Sequence, residues 1–162
     1  MANVSISVSK ASVYKEVGKT ASYSGAKAGD VAAYDRIFAT EADELMFERF
    51  WNEACNNATD LFKPFLVGMP IQSDISDGST TISNYTADLD ISSAFDSNLT
   101  ESINSSLFSF FTNYIVSEWF RFGNKADAPV YAAEAAAMLK DVKSKIYYRK
   151  KPTRNKIETS TS

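Results

Sequence analysis

Apolar residues recur at steps of three and four along residues 98–122, the spacing of one face of an α-helix. The positions on this face are Leu99, Ile103, Leu107, Phe110, Phe111, Tyr114 and Ile115. Further aromatic residues widen the apolar surface over most of the circumference in the second half, and these are Phe108, Trp119, Phe120 and Phe122. Such a helix is buried on most sides. Polar residues such as Asn113 interrupt the stretch too early for a membrane span. The pattern therefore predicts a central helix that the rest of the chain packs against.

A second helix is predicted to begin after Thr40, a residue type that often caps helix N-termini. Glu41, Asp43 and Glu44 would lie in its first turn, where the helix dipole favours negative charge. One apolar stripe follows, formed by Leu45, Phe47, Phe50, Trp51, Ala54, Cys55, Ala58, Leu61, Phe62 and Phe65. Pro64 is expected to end or kink this helix, because proline lacks a backbone donor and crowds the preceding turn.

Gly123 is a predicted C-terminal cap for the central helix, and Asp127 a predicted N-cap for a further helix with Pro129 in its first turn. The predicted core face of that helix comprises Tyr131, Ala135, Met138 or Leu139, Val142 and Ile146. Asp141 and Lys145 stand four residues apart in the favourable orientation for an ion pair.

Alternation of polar and apolar residues over residues 79–91 predicts a half-buried strand, with Tyr85, Ala87, Leu89 and Ile91 facing inward. Because Asp77-Gly78 is a turn signal, the strand is expected to pair back on residues 69–76 as a hairpin.

The first forty residues are harder to interpret. Residues 3–9 alternate weakly, which is typical of a strand or an ordered arm. Residues 12–26 suggest a short helical turn, but Gly18 and Gly25 interrupt it. Asp30 could cap a short helix that carries Val31, Tyr34, Ile37 and Phe38.

These elements predict a mainly α (α+β) fold, a helical bundle around a central helix with a small β-hairpin at about residues 69–91. One domain would cover residues 1–148 with an N-terminal arm, and residues 149–162 would form a basic, mobile tail that ends in Ser and Thr. The predicted core includes Phe47, Phe50, Trp51, Leu61, Leu107, Phe111, Tyr114 and Trp119.

The amino-acid composition limits the kinds of functional site that the chain could contain. The chain contains no histidine, which excludes His-based acid–base catalysis and His metal sites. Its single cysteine, Cys55, falls on an apolar helix face, where a small core residue is the expected role. The formal net charge of −3 does not indicate a nucleic-acid binder by bulk charge. The N-terminus lacks the charged-then-apolar layout of a signal peptide.

Four short patterns resemble sites, and each has a plainer interpretation. Gly18-Lys19-Thr20 is like the end of a phosphate-binding loop, but the required earlier glycine is absent. Residues 74–84 resemble a calcium loop, yet apolar and neutral residues occupy ligand positions. Asp88 and Asp90 could share a metal, although a solvated strand face explains them better. The acidic cluster of Glu41, Asp43, Glu44 and Glu48 fits an exposed helix face. We therefore predict no catalytic, cofactor or metal residue and no enzymatic activity.

The basic C-terminus is the stronger functional candidate. Tyr147 and Tyr148 are interleaved with basic residues that local acids hardly oppose. The basic residues expected to contact a portal protein or DNA are Lys145, Arg149, Lys150, Lys151, Arg154 and Lys156. Contact with DNA phosphates, docking on an acidic partner and a merely solvated end are all compatible with this pattern.

Three stretches together resemble a known family. They are Tyr14-Lys-Glu-Val-Gly-Lys-Thr-Ala-Ser-Tyr-Ser-Gly-Ala-Lys27, then Tyr34-Asp-Arg-Ile-Phe-Ala-Thr40 with Phe47-Glu-Arg-Phe-Trp-Asn-Glu-Ala54, and Trp119-Phe-Arg-Phe-Gly-Asn-Lys125 with the ending Lys145-Ile-Tyr-Tyr-Arg-Lys-Lys-Pro152. The set resembles small virion proteins of tailed phages of Bacteroidetes, including crAss-like phages, that serve as head–tail connector, adaptor or ring proteins. The implied fold is similar to that of phage head-completion connectors.

The resemblance implies a structural role without cofactors. About twelve copies would form a ring through head-to-tail contacts that close, which joins portal to tail and extends the DNA channel. The implied partners are further copies of the chain, the portal protein, other tail or ring proteins and passing DNA. The implied location is the neck or tail of the virion, after assembly in the host cytoplasm. The alternative is a small helical DNA-binding or packaging accessory protein that acts through the basic C-terminus.

Overall fold

The structure, a computed structural model, describes residues 2–27, 41–70, 74–76, 79–81 and 84–153. The helices found in these residues are α1 (Lys10–Lys27), α2 (Glu41–Phe62), α3 (Thr100–Gly123) and α4 (Ala128–Tyr147). The strands are β1 (Ala2–Val8), β2 (Asp74–Ser76), β3 (Ser79–Thr81) and β4 (Tyr85–Ile91). The predicted mainly α fold with a small β-hairpin is confirmed.

Helix α3 is the centre of the domain, as its periodicity predicts. It packs against α1, α2, α4 and β1. Leu107 and Phe111 of the predicted core are buried, while Tyr114 and Trp119 are partly buried against it. The expectation that the second half is buried nearly all round is wrong at Phe122, which is 70% exposed. This residue lies in the last turn before the chain reverses into α4, and the Phe50 ring stacks on it at a centroid distance of 6.4 Å.

Helix α2 packs its aromatic residues against α3. Trp51 is fully buried with its ring 4.8 Å from that of Phe111, and Phe47 stacks on Trp119 at 4.9 Å. Leu61 is partly buried, whereas Leu45, assigned to the same stripe, is exposed. The α-helix ends at Phe62 and a 3₁₀ turn follows with proline near its start, as Pro64 predicts.

Helix α1 replaces the short turn that the sequence suggested. It runs for 18 residues straight through Gly18. Val13, Val17 and Ala21 form a buried stripe along it, and packing of this stripe against α3 compensates for weak local helix propensity. The predicted helix after Asp30 and the predicted cap Thr40 lie outside the described residues.

Strand β4 is bordered on both sides. On one side it pairs antiparallel with β1, from Ala2 opposite Ile91 to Val8 opposite Tyr85. On the other side Leu66 forms a bridge with Leu89. The four inward positions of β4 are buried, as its alternation predicts. The N-terminal arm is thus a strand of the domain, and its Val4, Ile6 and Val8 are buried.

The predicted hairpin exists at its tip, where β2 pairs antiparallel with β3. The bridge between Leu66 and Leu89 keeps the same register, because Asp74 and Thr81 lie eight positions further along each strand. The Leu66–Leu89 bridge and the β2–β3 pair therefore share one hairpin register. The pairing of β4 with β1 was not predicted.

Helix α4 packs its predicted face onto α3, with Ala135, Val142 and Ile146 buried. Asp127 holds the N-cap position but makes no side-chain cap bond to the helix. Its carboxylate instead accepts hydrogen bonds from Asn124 at 2.6 Å and from Ser24 of α1 at 3.4 Å. This arrangement ties the end of α1 to the turn between α3 and α4.

Candidate interaction surfaces

Lys145, the first of the predicted contact residues, is used inside the domain. Its ammonium lies 2.5 Å from the Asp141 carboxylate and 2.7 Å from the Ser106 hydroxyl on α3. The hydrogen bond from Lys145, followed by that from Ser106, lowers the pKa of Asp141 below its usual value. Because its charge is already matched within the domain, Lys145 is a poor candidate for contacting a partner.

Arg149 closes the C-terminal end of α4. Its guanidinium donates to the backbone oxygens of Ile146 at 3.0 Å and Tyr148 at 3.2 Å, which satisfies carbonyls that a helix end leaves without partners. The backbone of Arg149 forms a bridge with buried Phe95, and the Lys150 amide donates to the Ala94 oxygen at 2.9 Å. Residues 149 and 150, which the sequence analysis placed in the mobile tail, are therefore attached to the domain.

The remaining predicted cations in the described chain, Lys150 and Lys151, are exposed directly after this anchor. Arg154 and Lys156 lie outside the described residues. On α4 itself, Lys140 and Lys143 are also exposed.

Large apolar side chains accompany these lysines. Tyr147 and Tyr148 are each about half exposed, and the Tyr147 ring meets the edge of Phe65 at 5.4 Å. The chain that leaves Phe65 carries exposed Val67 and Met69, the latter 87% exposed. We call the surface made of Tyr147, Tyr148, Lys150 and Lys151 the C-terminal face. The exposure of Val67 and Met69 was not predicted, because two apolar residues in a loop form no periodic pattern.

A second exposed apolar surface lies at the opposite end of α4. Phe122 and Val130 flank the turn between α3 and α4 and are both largely exposed. Beside them a groove of about 510 Å³ is lined by Glu118, Arg121, Lys125 and small residues of α4. We call this surface the corner face, made of Arg121, Phe122, Lys125, Pro129 and Val130. A helix of twenty residues separates the two faces by about 30 Å.

The weak sequence motifs acquire plain structural roles. Gly18-Lys19-Thr20 lies inside α1, where the backbone amides are used by the helix. Asp88 and Asp90 lie on the outer face of β4, and no cluster suited to a metal ion occurs among the described residues. Cys55 is fully buried, and burial raises the pKa of its thiol to about 12.

Glu48 departs from the predicted exposed acidic face. Its carboxylate lies 2.5 Å from the ammonium of Lys10, a residue only 6% exposed, and accepts a hydrogen bond from the Tyr14 hydroxyl at 3.1 Å. The same ammonium lies 4.9 Å from the centre of the Tyr14 ring. Burial lowers the pKa of Lys10, and the hydrogen bond and charge of Glu48 oppose that shift. This cluster joins α1 to α2 beneath the surface, which favours a structural role.

Alkaline pH should destabilise the fold, because several buried acids must stay protonated in it. Burial raises the pKa of Cys55 from 9.0, and those of Tyr85 and Tyr114 from 10.0, to about 12 in each case. Their stabilising contribution is complete below the unfolded pKa values and is lost as the pH rises from 9 towards 12. The lowered pKa of Lys10 has the opposite effect on stability at pH values below its unfolded pKa of 10.5, but this is the effect of one group against that of several.

We expect the raised pKa of Cys55 alone to lower the free energy of unfolding by about 2–3 kcal/mol at pH 11. Urea unfolding at pH 8, 9, 10 and 11 measures the loss, and Cys55→Ala is the matched control whose decline should begin about one pH unit later. A midpoint that stays constant to pH 11 would contradict the burial of these groups.

Comparison of the chain with protein-family models, curated proteins and solved structures finds no match. Membership of the phage connector family therefore stays a prediction from the residues quoted above. None of the helices in the described ranges combines the length and apolarity needed to cross a membrane.

Proposed function

We propose that this chain is a structural assembly protein that forms a ring between the portal and the tail of a phage virion. The observation that carries the proposal is the pair of exposed apolar faces at opposite ends of α4. Exposed clusters of large apolar side chains with polar rims are typical of protein interaction sites. A subunit that stacks between two neighbours needs one such face at each end.

Both faces are held on fixed backbone, which supports binding without a large ordering cost. The C-terminal face is anchored by the Phe95–Arg149 bridge and by the hydrogen bond from Lys150 to Ala94. The corner face is tied by the hydrogen bonds that Asp127 accepts from Asn124 and Ser24. Tyrosine and arginine, which are enriched at interfaces, occur on these surfaces.

The more specific parts of the proposal rest on the family resemblance. These are a ring of about a dozen copies with closed head-to-tail contacts, the portal and other tail or ring proteins as neighbours, and a place in the neck or tail. In this proposal the protein performs no chemical reaction and needs no cofactor.

The exposed lysines favour one alternative function. Lys140, Lys143, Lys150 and Lys151 are exposed near two exposed tyrosines, an arrangement that suits contact with nucleic-acid phosphates. A DNA-binding or packaging accessory protein would use these residues, and its affinity would fall steeply with salt. Two of the predicted cations, Lys145 and Arg149, are bonded within the domain, which favours the assembly role.

Paired substitutions at the C-terminal face separate the two functions. We expect Tyr147→Ser with Tyr148→Ser to weaken binding to the portal protein by about tenfold or more, because exposed tyrosines often dominate interface energies. Lys150→Ala with Lys151→Ala should change portal binding less than threefold. Binding is measured by surface plasmon resonance in 150 mM salt, with Ser144→Ala as the control.

Unchanged portal binding by the tyrosine variant would overturn the proposed role of this face. Tight DNA binding that falls about a hundredfold when salt is raised and is lost in the lysine variant would favour the accessory protein.

A further inference from the structure

The outer edge of β1 has no strand paired with it among the described residues. The Ser7 amide donates to the Asn104 side chain of α3 at 3.1 Å, so it points away from β4. In an antiparallel pair the amide and carbonyl of alternate residues point to the same side. The amides and carbonyls of Asn3 and Ser5 must therefore also point away from β4, towards the outer edge of β1.

The outer edge of β4 shows the same alternation of backbone directions, and another segment covers it. Asp88 lies opposite Ser5, and its carbonyl accepts a hydrogen bond from the Val67 amide at 2.9 Å. The segment around Leu66 and Val67 thus borders β4. Within the described ranges, β1 has no second strand beside it, and the Asn104 side chain meets this edge at Ser7. The edge at Asn3 and Ser5 is therefore open among the described residues.

Nothing in β1 protects that open edge. Native proteins usually guard exposed edges with charged residues, proline or bulges. The strand reads Ala-Asn-Val-Ser-Ile-Ser-Val, without charge or proline, and it pairs with β4 in unbroken register. Asn3 and Ser5 are exposed, and their short side chains leave room for another backbone.

The same chain carries a strand pair in need of a neighbour. β2 and β3 are hydrogen-bonded to each other and to no further strand among the described residues. A two-stranded hairpin alone is only marginally stable in water, so added pairing would stabilise it.

We propose that the β2–β3 hairpin of one copy adds a strand to the open edge of β1, at residues 3–5, in a second copy. A chain cannot make this contact with itself, because its hairpin continues the register on the β4 side and β1 is open on the other side. The contact is heterologous, and such contacts build rings when they close. This inference rests on the proposed ring function and identifies the surfaces that join neighbouring subunits.

Ser5→Pro tests the contact. Proline removes an outward amide that β4 does not use, and sheets tolerate proline at such edge positions. We expect the variant to melt within a few degrees of the wild type but to self-associate at least about tenfold more weakly, because a backbone hydrogen bond and close strand approach are both lost. Ser5→Ala, which keeps the amide, should associate like the wild type. Analytical ultracentrifugation with and without the portal protein measures association.

Cross-linking gives a second measurement that does not depend on the proline variant folding. Chains carrying Ser5→Cys are mixed with larger, tagged chains carrying Thr80→Cys and treated with a short bismaleimide, to which buried Cys55 should be inert. We expect a product of one chain of each kind, and none when Ser144→Cys replaces Thr80→Cys.

The outcomes separate this inference from the ring function. Rings that form without the cross-link, and equally well with Ser5→Pro, would overturn strand addition and leave the ring function standing. A wild-type chain that stays monomeric alone and with the portal would overturn both.

Discussion

Trp51→Ala is expected to lower the free energy of unfolding by about 3–5 kcal/mol. Trp51 is fully buried where α2 crosses α3, with its ring 4.8 Å from Phe111 and 6.3 Å from Tyr14. Truncation would leave a cavity among rigid aromatic rings that cannot easily close. Urea unfolding followed by far-UV circular dichroism measures the change.

Two controls sharpen this expectation. Trp119→Ala should cost less, about 1–3 kcal/mol, because that ring is already partly in water. Trp51→Phe keeps an apolar ring and removes an indole N–H that has no hydrogen-bond partner within the described chain, so it should cost less than Trp51→Ala. A loss under about 1 kcal/mol for Trp51→Ala would place the indole at the surface and contradict the packing of α2 on α3.

Glu48→Ala should destabilise the fold by about 3–5 kcal/mol, because it leaves the Lys10 ammonium buried without its counter-charge. The Lys10 side chain is 8% exposed and the Glu48 side chain 22% exposed. Both carboxylate oxygens of Glu48 lie within 2.6 Å of the Lys10 ammonium. Replacing both partners, as Lys10→Met with Glu48→Met, should cost far less than the sum of Lys10→Met and Glu48→Met made separately. Urea unfolding of the wild type, these two single variants and the double variant at pH 7 gives the coupling energy.

Glu16→Ala is the matched control for this prediction. Glu16 also faces a lysine, but its partner Lys19 is 3.8 Å away and both side chains are largely exposed. Such surface pairs contribute little, so the expected change is within about 0.5 kcal/mol. Equal effects of Glu48→Ala and Glu16→Ala would show that the Lys10 cluster is solvated and would remove its role in joining α1 to α2.

The helices that were predicted correctly are those with strong periodicity. α2, α3 and α4 each carry an apolar stripe long enough to define its face, and Pro64 and Asp127 mark boundaries. α1 was underestimated because its buried stripe consists of Val13, Val17 and Ala21, with Gly18 among them. Its stability comes from tertiary packing, which local propensity does not report.

The sheet was predicted only as far as its contacts are local. The hairpin is signalled by a turn and by alternation over neighbouring residues. The pairing of β1 with β4 joins residues more than seventy positions apart, and β1 offers only a seven-residue alternation. A single sequence cannot show which distant strand such a segment will choose.

The candidate surfaces show a similar division. The sequence indicated a basic C-terminal region with tyrosines, and the structure keeps Lys150 and Lys151 exposed there. It could not indicate that Lys145 would meet Ser106 on another helix, or that Arg149 would bond the end of α4. The spacing of residues in the sequence indicates which side chains are neighbours within one helix or strand. These contacts depend instead on how the helices and strands pack against one another.

The solution mass of the purified chain, alone and with its candidate portal protein, decides whether the chain forms the proposed ring. Light scattering gives the mass, and negative-stain imaging gives the shape of any assembly. We expect a closed ring of about a dozen copies, either free or formed on the portal. A chain that stays monomeric at high concentration, ignores the portal and binds duplex DNA would contradict it.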